Sequence, residues 1–155
     1  MQNVAKCLKL KFISHTTYYK IISEYVAPVI HDTWNNERDE YIGTLQENKN
    51  YDLRLCGDGQ FDSPGHCAKY LCYTLMEVNT NKTVDFVLLQ KKIVTGDLEK
   101  QACNMVLGRL IEDNVSVKML VTDRHRGIGL LMRTNYKDIV HEYDVWHLAK
   151  SLAQK

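Results

Sequence analysis

The sequence predicts an α/β fold in which helices flank a mixed β-sheet and a helical arm precedes the sheet. Between residues 51 and 90, three segments have the β-branched and aromatic composition of strands, and short polar turns separate them. Between residues 97 and 155, helical spacings alternate with short apolar runs, which is typical of parallel strands joined by helices. The chain has 155 residues, enough for one domain with a sizeable core and a small appendage.

Residues 1–48 are predicted to form the helical arm. Ser14 is the kind of residue that caps a helix, and apolar residues follow it at helical spacing through Tyr25. Pro28 is predicted to interrupt the helix, after which the amphipathic pattern continues. Residues 10–19 also resemble the turn and second helix of a helix-turn-helix DNA-binding motif. Because so short a match is weakly specific, we favour a helical packing arm over a helix-turn-helix remnant.

Residues 49–155 are predicted to form the sheet and its helices. The predicted strands are 51–56, 68–78, 83–90, 116–122 and 139–143, and the predicted helices are 97–114, 127–135 and a last one that begins at Asp144. The first three strands should form an antiparallel meander, and the later strands should pair in parallel with the first because helices separate them. Three antiparallel strands continued by a parallel pair are the arrangement of the ribonuclease-H fold, here in an incomplete version.

The composition restricts the classes of partner and compartment. Hydrophobic residues make up 45% of the chain and charged residues 25%, as in an ordinary soluble globular protein. The formal net charge is only +1, so the sequence lacks the strongly basic balance of a free-standing DNA-binding domain. The number of cysteines is odd and the first residues lack the apolar run of a secretory signal, so we expect reduced thiols in the cytosol or nucleus.

Two aspartates occupy the positions where this arrangement would place a metal site. Asp58 ends the first predicted strand and Asp123 ends the fourth, so in a sheet where these strands are neighbours their carboxylates converge. Two carboxylates at short range repel each other unless a cation neutralises them, and Mg²⁺ or Mn²⁺ prefers carboxylate oxygen. Such ions can activate a water or a 3′-hydroxyl for attack on a phosphodiester. Each segment alone also has a simpler interpretation, a hairpin turn at residues 57–59 and a helix cap at Asp123.

Three segments resemble, in order, the catalytic blocks of Kolobok-type cut-and-paste transposases. They are Gly-Asp-Gly-Gln-Phe-Asp-Ser-Pro-Gly-His-Cys-Ala-Lys at 57–69, Val-Thr-Asp-Arg-His at 121–125 and Asp-Val-Trp-His-Leu-Ala-Lys at 144–150. The third block also resembles a signature shared with Mutator-like and hAT transposases. Three blocks in the correct order are a more specific signal than any one of them.

The resemblance implies a fragment of a nuclear DDE transposase, which cuts and joins DNA by two-metal catalysis. It implies that Asp58 and Asp123 are the first two acids of the DDE triad and bind metal, and that Asp144 and His147 are an auxiliary pair near the active centre. His147 is as compatible with an ordinary core or surface histidine. Asp62 is the rival for the first acid, and its place in a loop favours a loop-ordering role. The family's third acid, a glutamate, lies well beyond the third block, so we expect the chain as written to be inactive.

Basic residues beside these motifs are candidate contacts for DNA phosphates, although solvated surface charge is the more common role of such residues. They are Lys69, Arg124, Arg126 and Lys150. The resemblance also implies a homo-oligomer that binds transposon ends. Two alternatives remain open, namely a non-catalytic DNA-binding or protein-interaction domain derived from a transposase, and an unrelated ribonuclease-H-like nuclease.

Overall fold

The structure, a computed structural model, describes residues 13–48, 50–64, 67–94 and 96–145. Two of the predicted site residues, His147 and Lys150, lie outside the described residues, as does most of the predicted last helix. The chain divides into two compact units, Met1–Asp39 and Glu40–Lys155. None of the described helices combines the length and the apolar composition that crossing a membrane requires.

The described part of the first unit is helical. Three consecutive segments form a continuous helix, namely α1 (His15–Ile21), a π-turn (Ile22–Val26) and α2 (Ala27–Glu47). The predicted cap is present, because the hydroxyl of Ser14 accepts the N–H of Thr17 at 3.0 Å. The part of the helix-turn-helix resemblance that is described, residues 13–19, lies at the start of this helix, and residues 10–12 lie outside the described part of the chain.

Pro28 does not interrupt the helix, so that prediction was wrong. It lies in the first turn of α2, where a missing N–H is tolerated because proline's fixed φ suits a helix start. A π-turn comes directly before it, and there the N–H of Ala27 reaches the carbonyl of Ile22, five residues back. The backbone hydrogen bond thus spans five residues instead of four directly before Pro28, the residue that has no N–H to donate.

The second unit contains a five-stranded mixed sheet, which confirms the predicted α/β class. Its strands are β1 (Leu53–Phe61), β2 (Tyr70–Glu77), β3 (Thr83–Gln90), β4 (Val117–Thr122) and β5 (Val140–Tyr143), in the spatial order β3-β2-β1-β4-β5. The first three strands form the predicted antiparallel meander. β4 pairs in parallel with β1, and β5 pairs in parallel with β4, as helix-linked strands must.

Helices α3 (Leu98–Glu112) and α4 (Arg126–Asn135) precede β4 and β5. The helix predicted at residues 97–114 is present as α3, and Asp97 is its N-cap, with a carboxylate that accepts the N–H of Lys100 at 3.1 Å. α3 contacts β2, β3 and α4, and the core between them consists mainly of leucine and valine. Alternate residues of β1, such as Leu53 and Leu55, point into this core, so Asp58 projects from the other face of the sheet.

A buried carboxylate joins the end of α2 to the sheet. Glu77, the last residue of β2, is 0% exposed and accepts hydrogen bonds from the hydroxyls of Tyr41, Tyr51 and Thr80. Burial by itself would raise the pKa of Glu77, but these hydroxyls and the charge of Lys82 outweigh it and leave that pKa lowered. The carboxylate is therefore ionised in the folded protein, and it fixes the last turns of α2 against the sheet.

Candidate functional site

Asp58 lies within β1 rather than at its end. The sequence predicted a strand that stops at Cys56 and a turn at residues 57–59, but β1 continues to Phe61 and pairs with β2 along that length. That prediction was wrong because glycines interrupt the side-chain alternation without ending the strand. A residue without a side chain carries no periodic signal, although its backbone can still take part in the ladder.

The glycines on both sides of Asp58 make room for packed side chains. A Cβ on Gly57 would lie 2.6 Å from the hydroxyl of the buried Tyr73, and a Cβ on Gly59 would lie 3.2 Å from Cγ of Glu99. Among the glycines that the structure describes, only Gly96 has a positive φ. The glycines beside Asp58 therefore permit close packing on the helix-covered face, and they do not form the hairpin turn that residues 57–59 allowed as an alternative.

The register of β1 and β4 makes Asp58 and Asp123 neighbours. Gly57 and Thr122 are the last partners of the parallel ladder, and each aspartate is the next residue of its chain. Neighbouring strands lie about 4.8 Å apart, so the two side chains leave the backbone next to each other. Both side chains line a cleft with a volume of about 220 Å³. The structure thus brings together the two acids that the sequence singled out.

Asp144 is a third carboxylate of the same cleft. Its backbone N–H donates to the carbonyl of Thr122 at 2.8 Å, which extends the pairing of β4 and β5 by one residue. Between these acids the wall is formed by the sheet residues Cys56, Gly57, Thr74, Met76 and Val121. Burial raises the pKa of the Cys56 thiol, and the negative charges of Asp144 and Asp58 raise it further. Asp58 and Asp144 are therefore both close enough to act electrostatically on this one side chain.

The buried Thr122 and the half-buried His141 position the backbone at Asp123. The hydroxyl of the buried Thr122 donates to the carbonyl of Asp123 at 2.9 Å and also lies 2.9 Å from Nε2 of His141. Since the hydroxyl proton is donated to the carbonyl, the Thr122 oxygen accepts a hydrogen bond from Nε2–H of His141. Burial, and then the charge of Arg133, lower the pKa of His141. A neutral His141 can still donate a hydrogen bond through Nε2, so its contact with Thr122 does not require a charged imidazole.

Sequence patterns missed a second polar cluster, which lies beside the glycine after Asp58. Nε2 of His125 lies 3.6 Å from Oδ1 of Asp97 and 3.8 Å from Oε2 of Glu99. Burial raises the pKa of Glu99; the charge of His125 opposes this, and the charges of Asp123, Asp97 and Asp58 add to it. In the sequence, an acid in the first turn of a helix is ordinary. Only the packing of α3 on the sheet, which places Glu99 against Gly59, brings this group near the cleft.

Asp62 and the basic residues also lie at this end of the sheet. Oδ1 of Asp62 accepts the N–H of Lys69 at 2.8 Å and of Tyr70 at 3.2 Å, which confirms the predicted loop-ordering role. The bonds from Tyr70 and Lys69 lower the pKa of Asp62. Lys69 precedes β2, whereas Arg124 and Arg126 follow β4, and all three side chains are exposed. Because β2 is antiparallel to β4, these positions share one end of the sheet.

The donor atoms of the cleft are carboxylate oxygens, the ligands that Mg²⁺ and Mn²⁺ prefer. Among residues 13–48, 50–64, 67–94 and 96–145, however, no three His, Cys, Asp or Glu side chains are grouped closely enough to hold a metal ion. Asp58 and Asp123 are thus a two-carboxylate pair with Asp144 nearby. The predicted divalent ion stays a prediction.

Comparison with known proteins finds no matching protein-family model. It finds no significant match to a curated protein either. The resemblance to transposase blocks therefore depends on the residues quoted above and on where the fold places them.

Proposed function

We propose that the second unit is the front part of a ribonuclease-H-like DDE transposase core, which acts in the nucleus on DNA phosphodiesters with Mg²⁺ or Mn²⁺. One observation carries the proposal. Asp58 and Asp123, far apart in sequence, occupy adjacent positions on one face of the sheet and line one cleft. The order of three antiparallel strands followed by helix-linked parallel strands is compatible with that fold.

In this proposal, Asp58 and Asp123 hold the divalent ion and Asp144 has an auxiliary role beside it. Oδ1 of Asp58 accepts the N–H of Gly59 at 2.8 Å, which orients its carboxylate. A bound ion would neutralise a phosphate and activate a nucleophile. Our proposal therefore assigns metal binding and DNA binding to these residues.

Replacing Asp58 by asparagine is expected to weaken Mn²⁺ binding more than about tenfold, because even the loss of a group that only supports a metal ligand costs 10–100-fold in affinity. Asparagine has nearly the same shape and can still accept the N–H of Gly59. Isothermal titration calorimetry of the full chain with Mn²⁺ measures the effect, and circular dichroism checks that the fold is retained.

The matched control is Asp138→Asn. Asp138 is an exposed carboxylate in the turn before β5, at the opposite end of the sheet from the cleft. The Asp138→Asn substitution removes the same charge as Asp58→Asn, and it should leave the Mn²⁺ affinity unchanged. Equal Mn²⁺ affinities of the wild type and Asp58→Asn would reject the assigned site.

A second candidate function, DNA binding without metal chemistry, is favoured by the exposed basic residues Lys69, Arg124 and Arg126 at the cleft end of the sheet. Replacing both arginines by alanine should weaken binding to duplex DNA and reduce the slope of log affinity against log salt by about 2, because each phosphate contact contributes about 0.9. Duplex titrations at several salt concentrations, with and without Mg²⁺, measure this. Binding that requires neither Mg²⁺ nor Asp58 would favour this second function, and an unchanged slope would exclude the arginines from the contact.

A further inference from the structure

The helix of the first unit exposes apolar side chains that the proposed function does not use. None of residues 14–31 is buried. Tyr25 is 66% exposed, Val29 64%, Ile30 63% and Tyr18 47%. Neighbouring exposed side chains of this size form a continuous apolar patch, and such patches on soluble proteins mark interaction sites.

The π-turn gathers these side chains onto one side of the helix. In a regular α-helix, each residue is displaced by about 40° around the axis from the residue four positions before it. A row of side chains at this spacing therefore curves around the helix and does not stay on one side. The wider turn at Ile22–Val26 holds more residues per turn and offsets this drift. Two adjacent rows result, which together we call the arm face: Tyr18, Ile22, Val26 and Ile30 in one row, and Ile21, Tyr25 and Val29 in the other.

The chemistry of the arm face favours an apolar protein partner. From residue 13 to residue 30, the only charged side chains at neutral pH are Lys20 and Glu24, whose Nζ and Oε2 atoms lie 3.9 Å apart as an i,i+4 pair. DNA and anionic membranes are bound through clusters of basic residues, which this segment lacks. Because the segment is electrically balanced, two identical copies would approach each other without net repulsion.

The area of the arm face is sufficient for pairing with a second copy. If a fully exposed side chain of this size presents about 150–200 Å², the exposed fractions leave roughly 600 Å² of apolar side chain per copy. Two such faces would bury roughly 1,200 Å², the lower end of the range for specific protein interfaces. A face packed on its own copy is isologous, which is the commonest arrangement of protein dimers, and its tyrosines are among the residues enriched at interfaces.

We propose that the arm face is a self-association surface through which two copies of this chain pair. The inference depends on the helix of the first unit alone and does not require the metal site in the second unit. It assigns a role to the π-turn, which aligns the two apolar rows for contact with the partner copy.

Sedimentation velocity of the full chain between about 1 and 100 µM tests this proposal, in the concentration range where weak interfaces dissociate. We expect the dimer fraction of the wild type to rise with concentration. Tyr25→Glu adds a charge that pairing would bury in both copies, so it should weaken dimerisation at least about 100-fold. Because Tyr25 is exposed, the melting temperature of the variant at low concentration should equal that of the wild type.

The matched control, Thr16→Glu, adds the same charge on the opposite side of α1, since Thr16 lies about 200° around the axis from Tyr18. It should leave dimerisation unchanged. A wild type that stays monomeric at every concentration, or a dimer that tolerates Tyr25→Glu, would overturn the proposal. So would a monomer that binds neutral lipid vesicles or duplex DNA through Tyr25, because the arm face would then belong to that ligand.

Discussion

Replacing Glu77 by alanine is expected to lower the free energy of unfolding by about 3 kcal/mol, because it leaves buried polar groups without their partner. The carboxylate accepts hydrogen bonds from the hydroxyls of Tyr41, Tyr51 and Thr80, and it is 0% exposed. Water cannot replace the lost acceptor without entering the interior. Urea denaturation at pH 7 measures the loss, and Glu142→Ala, at an exposed position of β5, should change stability by less than about 0.5 kcal/mol.

The pH dependence of the same site gives an independent signature, because the pKa of Glu77 is lowered in the folded state. A lowered carboxyl pKa contributes stability above the unfolded-state value, and the contribution disappears as the pH falls through the folded-state value. Glu77→Gln keeps the shape without the charge. We therefore expect the stability difference between the wild type and Glu77→Gln to be constant at neutral pH and to shrink below about pH 4.3. A difference that is independent of pH would contradict an ionised Glu77.

Gly57→Ala is expected to destabilise the fold by about 2–3 kcal/mol, because the added methyl group overpacks a filled core. Its Cβ would lie 2.6 Å from the hydroxyl of Tyr73 and 3.1 Å from Cδ2 of Leu75. Both side chains are fully buried, so neither can move aside into solvent. Chemical denaturation of Gly57→Ala gives the loss directly.

A double-mutant cycle tests the cause. The hydroxyl of Tyr73 has no nitrogen or oxygen hydrogen-bond partner among the described residues. The Cys103 thiol beside it is a weak partner, so removing the hydroxyl in Tyr73→Phe should cost little. The same change removes the closest clash with an alanine at position 57, so the two substitutions should couple by about 1 kcal/mol or more. Gly108→Ala is the control, because nothing lies within 4 Å of its Cβ position in α3. That change should instead stabilise the protein by up to about 1 kcal/mol, and purely additive effects of Gly57→Ala and Tyr73→Phe would contradict the clash.

The sheet was predictable from the sequence where a run of strand-forming residues follows a clear polar turn. β3 runs from Thr83 to Gln90, the predicted bounds, because a segment rich in valine, phenylalanine and leucine follows the polar turn at residues 79–82. α3 was predictable because Asp97 supplies a cap before residues at helical spacing. Both signals are local, so a single segment of sequence contains them completely.

Features that depend on other parts of the chain could not be predicted. The continuation of β1 through Gly57 depends on Tyr73 and Leu75 from β2, which fill the space that a side chain would need. The position of Glu99 beside Gly59 depends on how α3 packs on the sheet, where it contacts β2 and β3. The pairing of Asp58 with Asp123 was predictable in outline, since strand order implies it, but the cleft also includes Asp144 through the register of β5.

The length of β1 has a consequence for how the cleft could evolve. β4 stops pairing at Gly57, whereas β1 runs on beside β2 to Phe61. The floor of the cleft is thus a continuous ladder, whereas Asp123 and Asp144 each follow the last residue of their strand. Insertions after β4 or β5 can therefore reshape the rim and alter which ligand enters, and the strands below need not shift register to accommodate them.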